Sequence, residues 1–364
     1  MKALLSNNSI VSRISNLTLG KSFGGRGGVF KDIPVPTISS DEILVKVKSV
    51  ALNPTDFKHI DIISPPNSII GCDYAGEVAA VGANAAKFWK VGERVAGAVH
   101  GGLYPDRGAF AEYLKADHDL AWKIPPEVSD ADATTYGVSA ITAALALNNR
   151  HGLPWANEGP KTGQAASAER RSIFIYAGST AAGLFHIQLA KAAGLTVVAT
   201  ASPHSFDLVK KYGADSVFNY KSPTVAEEIV KEFPNISMAV DCFSEGKSIE
   251  ICAKVIQNKG GKVVTLLDPG KSKTLGVEYE MILAYTMYGH SFQWLAPIGP
   301  KFAASSLDRE TLVHFCSILP ELTKTIKPTP VTELEGGFDA ILGGLDQLRA
   351  GKVSGGKLVV KVSE

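Results

Sequence analysis

The sequence predicts an α/β protein in two parts, a β-barrel-like domain and a doubly wound parallel sheet. Three observations predict it. Residues 1–125 hold short β-type runs punctuated by turns, residues 172–268 alternate such runs with helix-compatible stretches, and the tail ends in one more strand-like run, "GKLVVKV". With 364 residues the chain suits two domains better than one core. A hydrophobic share of 45% and 35 glycines fit an α/β protein with many tight turns.

Taken in order, "MKALLSNNSIVSRISNLTLG" has a short apolar patch but neither a long apolar core nor a small-residue cleavage site. It is expected to form the first strand of the mature chain, not a signal peptide. "EILVKVKSVALN", "AGEVAAVG", "GERVAGAV" and "AFAEYLKA" supply the strands of the first domain. After Pro125 and Pro126, "DADATTYGVSAITAALAL" reads as a helix whose acidic start suits a helix N-terminus. "PWANEGPKTGQAASAERR", residues 154–171, is expected as a surface loop.

A strand-and-helix rhythm follows. "SIFIYAG", "TVVATAS", "SVFNY", "ISMAVDCF" and "KVVTLLDP" are its strands. The helices between them are "TAAGLFHIQLAKAAG", "SFDLVKKYGA", "TVAEEIVKEF" and "SIEICAKVIQNKGG". The chain is expected to leave this sheet after "MYGHSF" and to send its last strand back to the first domain. That places the domains at 1–126 with 294–364, and at 127–293.

Charge and cysteine usage exclude several classes. With 37 basic and 36 acidic side chains the net charge is +1, which gives no reason to expect nucleic acid or an anionic membrane as partner. No segment has the ~18 uninterrupted apolar residues of a membrane span. Cys72, Cys242, Cys252 and Cys316 are scattered, with no C-x-x-C pair. That suits a reducing cytosol, so a cytoplasmic location is expected.

The first strand of the repeat runs into "YAGSTAAG", where Gly178, Ser179, Thr180, Ala181, Ala182 and Gly183 are small enough for a backbone to approach a pyrophosphate. Free N–H groups of the following helix would then hold the negative charge. The strict G-x-G-x-x-G pattern is not met, so the motif by itself is weak, and an ordinary strand–turn–helix is the alternative. At the end of the second strand an acidic residue would bind ribose hydroxyls and repel a 2′-phosphate. Here "TASPHSF" places Ser202, Pro203, His204 and Ser205, with no negative charge. Tyr220, followed by Lys221, stands at the next strand end. This pattern favours NADPH over NADH, with a plain surface turn as the alternative.

Together "ALNPTDFKHI", "GCDYAGEVAAVG", "VGERVAG", "GAFAEY", "IQLAKAAG", "GADSVFNY" and "GKLVVKV" resemble the medium-chain dehydrogenase/reductase superfamily, in order over nearly the whole chain. The resemblance implies a GroES-like catalytic domain and a Rossmann domain. "NPTDFKH", "YAGSTA", "SPHSFDL", "FNYK", the 154–171 insertion and "GGFDAI…GKVSGGKLVV" are most similar to fungal trans-acting polyketide enoyl reductases of the lovastatin-pathway type. Zinc members of the superfamily carry Cys where this chain has Asn53 and His where it has Cys72, and no Cys or His lies in "TTYGVSA" near the third position. Catalytic zinc needs three protein ligands, so no metal is expected. "HGGLYPDRGAF", 100–110, also lacks the four-Cys structural zinc loop. Cys72 is then read as a small, half-buried hydrophobe.

Without a Lewis acid, conjugate reduction is the easier chemistry, because the substrate's own carbonyl spreads the developing charge. The resemblance implies that Thr55, Asp56, Phe57 and Lys58 touch the cofactor, with Thr55 on the ribose and Lys58 stabilising charge or relaying a proton. These two are the candidate catalytic residues. It also implies that Thr265, Leu266, Ser354 and Gly355 lie against the cofactor, and that Ile141, Ala144, Leu145, Tyr288, Gly289, His290, Ser291 and Phe292 line the substrate pocket. Tyr288 and His290 are the only proton donors in that set. The expected function is NADPH-dependent, metal-free reduction of an enoyl thioester carried by a polyketide synthase. A stand-alone quinone or enone reductase is the first alternative, and an NADPH-binding scaffold or sensor without turnover the second. Monomer and homodimer both stay open.

Overall fold

A computed structural model describes residues 1–7, 9–19, 27–159 and 171–363. The greater part of the expected surface loop, 160–170, lies outside the described residues. The chain divides into two compact units. The first comprises Met1–Val138, Tyr285–Pro320 and Pro330–Glu364, and the second Ser139–Ala284 and Glu321–Thr329. Residues 127–138 and 285–293, expected with the parallel sheet, therefore belong to the first unit, and 321–329 to the second. Side-chain anchors explain the shifts of 127–138 and 321–329. Val138 N donates to Asp73 Oδ1 at 2.8 Å. The Gln188 amide brackets the backbone of Lys327 at 2.7 and 3.0 Å, and Tyr212 Oη donates to Pro328 O at 2.6 Å.

In the first unit a seven-stranded sheet runs Val331–Leu334, Lys357–Lys361, Glu42–Ala51, Asp73–Val81, Arg94–Ala98 and Ala121–Lys123, with Tyr113–Asp117 also paired to Glu42–Ala51. The long strand "EILVKVKSVA" alternates, and Ile43, Val45 and Val47 point into a core with Tyr74, Val78, Phe110 and Leu114. The last strand returns here, pairing Val359 with Ala51 in antiparallel register. At the N-terminus the strand stops at Ser6, and a helix not expected from the sequence spans Ile10–Leu19. Arg13, only 5% exposed, ties that helix to Ile63 O at 3.1 Å. A second unexpected helix, Ser306–Leu322, buries Leu312, Phe315 and Leu319.

The stretch expected as one helix after Pro126 is broken into Asp130–Thr134 and Val138–Ala144, followed by a π-turn over Leu145–Arg150. Gly137 marks the break. A Cβ there would stand 2.2 Å from Asp73 Oδ1, so the carboxylate occupies the space that a side chain would need.

The second unit holds six parallel strands in the order Ser216–Asn219, Thr196–Ala201, Ser172–Tyr176, Met238–Asp241, Gly261–Thr265, Val277–Met281. Numbered along the chain this is 3-2-1-4-5-6, the dinucleotide-binding order, with its reversal between the first and fourth strands. Val277–Met281 was not expected, because "VEYEM" is a charged, partly exposed edge strand without the apolar run of the others. The core beneath the sheet packs Phe174, Val198, Ile229, Ala239, Cys252 and Val263. Among the described residues no helix is long and apolar enough to cross a membrane.

Candidate active site

At the reversal point of the second unit, the first strand ends in a turn held by its neighbours. Ala177 takes φ +60°, its N–H donates to Thr200 Oγ1 at 3.1 Å, and Gly178 N donates to Thr200 O at 2.8 Å. Thr180 then caps helix Ala181–Ala192, its Oγ1 accepting from Gly183 N at 3.0 Å and donating to Ala177 O at 2.9 Å. A Cβ on Gly183 would lie 2.5 Å from Ala177 O, so only glycine lets the helix start this close to the strand. Ser179, Thr180, Ala181 and Ala182 are half-exposed around the helix N-terminus. The first amides of a helix have no intrahelical acceptor, and a phosphate fits them.

Register pairs Ala201 with Asn219, so Ser202 and Tyr220 leave the sheet side by side. Pro203 and His204 are exposed in a 3₁₀ turn, and Tyr220 is 36% exposed with its ring 6.3 Å from Tyr176 and Lys221 Nζ 5.8 Å from its centroid. Ser205 differs from expectation: it is 4% exposed, so its side chain faces inward.

A group missed in the sequence closes the other side of the reversal. Asp241 accepts from the N–H groups of Phe243 and Ser244 at 3.0 and 2.8 Å, and from Ser248 Oγ at 2.5 Å. Burial raises its pKa above the usual carboxylate value. Ser244, at φ +58°, donates to Asp241 O and accepts from Leu266 N at 2.9 Å, which fixes Leu266 at the end of the fifth strand. Beside it Thr265 is fully buried, with Oγ1 lacking a hydrogen-bond partner. The signal was present in "VDCFSEGKS", an Asp at a strand end followed by two serines. Ile141, Ala144 and Leu145 also lie in this unit and are at most 4% exposed, so they offer little surface to a substrate.

In the first unit, Asn53 and Pro54 start the short helix Pro54–Lys58, and Asp56 Oδ2 reaches back to accept from Asn53 N at 2.7 Å. Helical spacing puts Thr55 and Lys58 on one face, both half-buried. Asp56 and Phe57, expected against the cofactor, turn the other way and are 1% and 7% exposed. Phe57 packs in the core under the Arg349 guanidinium, 5.2 Å from its ring. Burial, followed by the neighbouring Asp73 carboxylate, raises the Asp56 pKa to about 7. Ser354 is exposed and Gly355 has φ +74°, in the turn that delivers Lys357 to Asn53.

Asn53 and Cys72, where zinc members of the superfamily carry ligands, are each engaged by other partners. Lys357 Nζ donates to Asn53 Oδ1 at 2.7 Å and to Asp73 Oδ2 at 2.6 Å, and Asn53 Nδ2 donates to Asp73 Oδ2 at 2.9 Å. A cation is thus already built into the chain. Cys72 is 1% exposed, not half-buried, and burial raises its thiol well above the usual range, with Tyr285 Oη 3.7 Å away. Among the described residues no group of three His, Cys, Asp or Glu side chains is placed to hold a metal ion. This donor set does not fit zinc.

Tyr285, not singled out in the sequence, bonds Thr55 Oγ1 at 2.6 Å inside a cluster with His59, His100 and Trp294. Tyr288 and Phe292 are each 7% exposed, and Phe292 stacks on Phe302 at 4.8 Å. Burial keeps the Tyr288 phenol protonated. His290 and Ser291 are exposed, and His290 Nε2 lies 4.0 Å from Asp117, so His290 faces outward rather than into this cluster. Gly289 has φ +73° and would bring a Cβ within 2.4 Å of Arg309.

Comparison with known proteins matches these features to a family. The family Alcohol dehydrogenase GroES-like domain matches residues 39–126, and the family Zinc-binding dehydrogenase matches residues 181–292. A GroES-like part joined to a dehydrogenase nucleotide fold defines a two-part oxidoreductase. A trans-enoyl reductase of Alternaria alternata is 39% identical over 91% of this chain and 95% of its own length. Another, of Gibberella zeae, is 35% identical over 92% and 94%. The chain belongs to the fungal trans-enoyl reductase family of the medium-chain dehydrogenase/reductase superfamily. The crystal structure of the CurK enoyl reductase shares the fold, with a TM-score of 0.70 over 99% of both chains at 19% identity.

Proposed function

We propose that this protein reduces the activated C=C bond of an α,β-unsaturated polyketide thioester held by a partner synthase, with NADPH and without a metal. The observation that carries the reading is the Asn53–Asp73–Lys357 cluster, which commits Asn53, at one of the superfamily's metal-ligand positions, to an internal ammonium and its carboxylate. A site built this way favours a substrate that delocalises its own charge, as an enoyl thioester does. The curated relatives are named trans-enoyl reductases, which supports the same substrate class. Four free, buried cysteines accord with a cytoplasmic setting.

When bound, the nicotinamide supplies the hydride that reaches the β-carbon of the thioester. The turn at Ser179–Ala182 would hold the pyrophosphate on the helix N-terminus. Ser202, His204 and Tyr220 would receive the 2′-phosphate, and no acidic side chain from "TASPHSF" opposes it. Thr55 would bond the nicotinamide ribose. Lys58, one turn further on the same helix face, stabilises the negative charge that develops on the thioester oxygen. Solvent protonates the α-carbon, since His290 faces away and burial raises the Tyr288 phenol, which makes it a weaker acid.

The test is NADPH consumption with a short 2-enoyl thioester, a quinone and a simple ketone, each with and without a metal chelator. Thioester turnover indifferent to chelator is expected. Quinone turnover alone, or chelator-sensitive ketone reduction, would overturn the reading. For the cofactor, Y220F is expected to weaken NADPH binding about threefold or more while leaving NADH binding unchanged, as loss of one phosphate hydrogen bond predicts. Equal loss for both would remove Tyr220 from the phosphate pocket.

A further inference from the structure

We infer that Tyr285 is a positioning residue that turns the Thr55 hydroxyl into a donor aimed at the cofactor. The inference rests on the proposal that Thr55 meets the nicotinamide ribose. It deepens that proposal by naming what sets the direction of the bond.

The phenol is held from several sides. Its ring stacks on His100 at 4.0 Å with an interplanar angle of 24° and meets His59 and Trp294 edge-on at 5.3 and 5.7 Å. Only 5% of Tyr285 is exposed, so the ring has little room to turn. Its hydroxyl lies 2.6 Å from Thr55 Oγ1 and 3.7 Å from Cys72 Sγ. Burial keeps both the phenol and the thiol protonated, and the thiol also hydrogen-bonds the Asp56 carboxylate.

Two arrangements satisfy these groups. Either Thr55 donates to the phenol and the phenol to sulfur, or the phenol donates to Thr55 while the thiol donates to the Asp56 carboxylate. A phenol is a stronger acid than an aliphatic alcohol and hence the better donor between them. Sulfur is a weak acceptor, which disfavours the first arrangement. The second is left: Tyr285 Oη–H to Thr55 Oγ1, and the Thr55 proton directed outward. The phenol's donation polarises the Thr55 hydroxyl and strengthens it as a donor. Thr55 is β-branched on a helix, so few rotamers compete with this geometry.

The experiment is a double-mutant cycle in NADPH affinity, read by fluorescence titration without any substrate. Y285F keeps the ring and removes the hydroxyl, T55V keeps the shape and removes the other, and the double variant closes the cycle. Y285F is expected to weaken NADPH binding about three- to tenfold while Thr55 is present, and less than twofold in the T55V background. T55S, which keeps a hydroxyl, is expected to restore the sensitivity to Y285F. Equal losses in both backgrounds would mean a packing role only. No loss from Y285F, or T55V binding like wild type, overturns the inference. A wild type that binds NADPH but reduces no enoyl thioester breaks the proposed reaction instead and leaves this cycle readable.

Discussion

Two buried carboxylates, one in each unit, solve the same problem in opposite ways. Asp73 opens strand Asp73–Val81 and Asp241 closes strand Met238–Asp241, and both are 0% exposed. Asp73 is matched by a full charge, the Lys357 ammonium, with Asn53 and Val138 N–H completing its shell. Asp241 is satisfied by two backbone N–H groups and the Ser248 hydroxyl. The first solution draws on residues 53, 73, 138 and 357, whereas the second lies within eight residues. A buried ion pair assembled from distant segments ties those segments together, so it should act as a clamp. A local shell should act only on its own turn.

The largest test of that difference is K357M. It leaves Asp73 buried without its cation, and we expect a loss of about 3–5 kcal/mol in urea denaturation. A loss below about 1 kcal/mol would mean that the pair is no clamp. S248A removes one of three donors to Asp241, and about 1–3 kcal/mol is expected, with NADPH binding weakened through the Ser244–Leu266 contact. If S248A cost as much as K357M, the contrast between the two shells would fail.

The smallest and most specific test uses pH. Burial holds His59, His151 and His186 neutral, with pKa values lowered to about 4. Each contributes stability that is present above the unfolded value near pH 6.5 and lost as pH falls toward 4. Asp56, raised to about 7, has the opposite sign: its contribution is present below about pH 4 and lost as pH rises through 7. The two trends partly cancel in the wild type. D56N removes the opposing arm, so Tm should climb more steeply between pH 4 and 7 than in wild type. An unchanged slope would show that Asp56 does not titrate beside Asp73.

The parallel sheet was legible because each of its strands but the last is a short apolar run bounded by turn residues. Its phosphate turn was legible from small residues between a strand and a helix. Val277–Met281 was not, since a partly exposed edge strand need not be apolar. The inward turn of Asp56 and Phe57 was hidden for a different reason: a five-residue helix gives no periodicity to read. Tyr285 was overlooked beside Tyr288 and His290, because three polar rings within six residues look alike until packing points them in different directions.

From the sequence alone came the two-part α/β architecture, the order of strands and helices in the nucleotide fold and the family, because local apolar patterning and turn chemistry fix elements over a few residues. The tertiary structure alone decided that Lys357 neutralises Asp73, that Cys72 faces a phenol, and that Tyr285 meets Thr55. Those contacts join residues 213 to 284 positions apart for the first two pairs and 230 for the third. No local propensity encodes such a meeting. It follows only when burial forces each polar atom to find a partner among whatever the fold brings near.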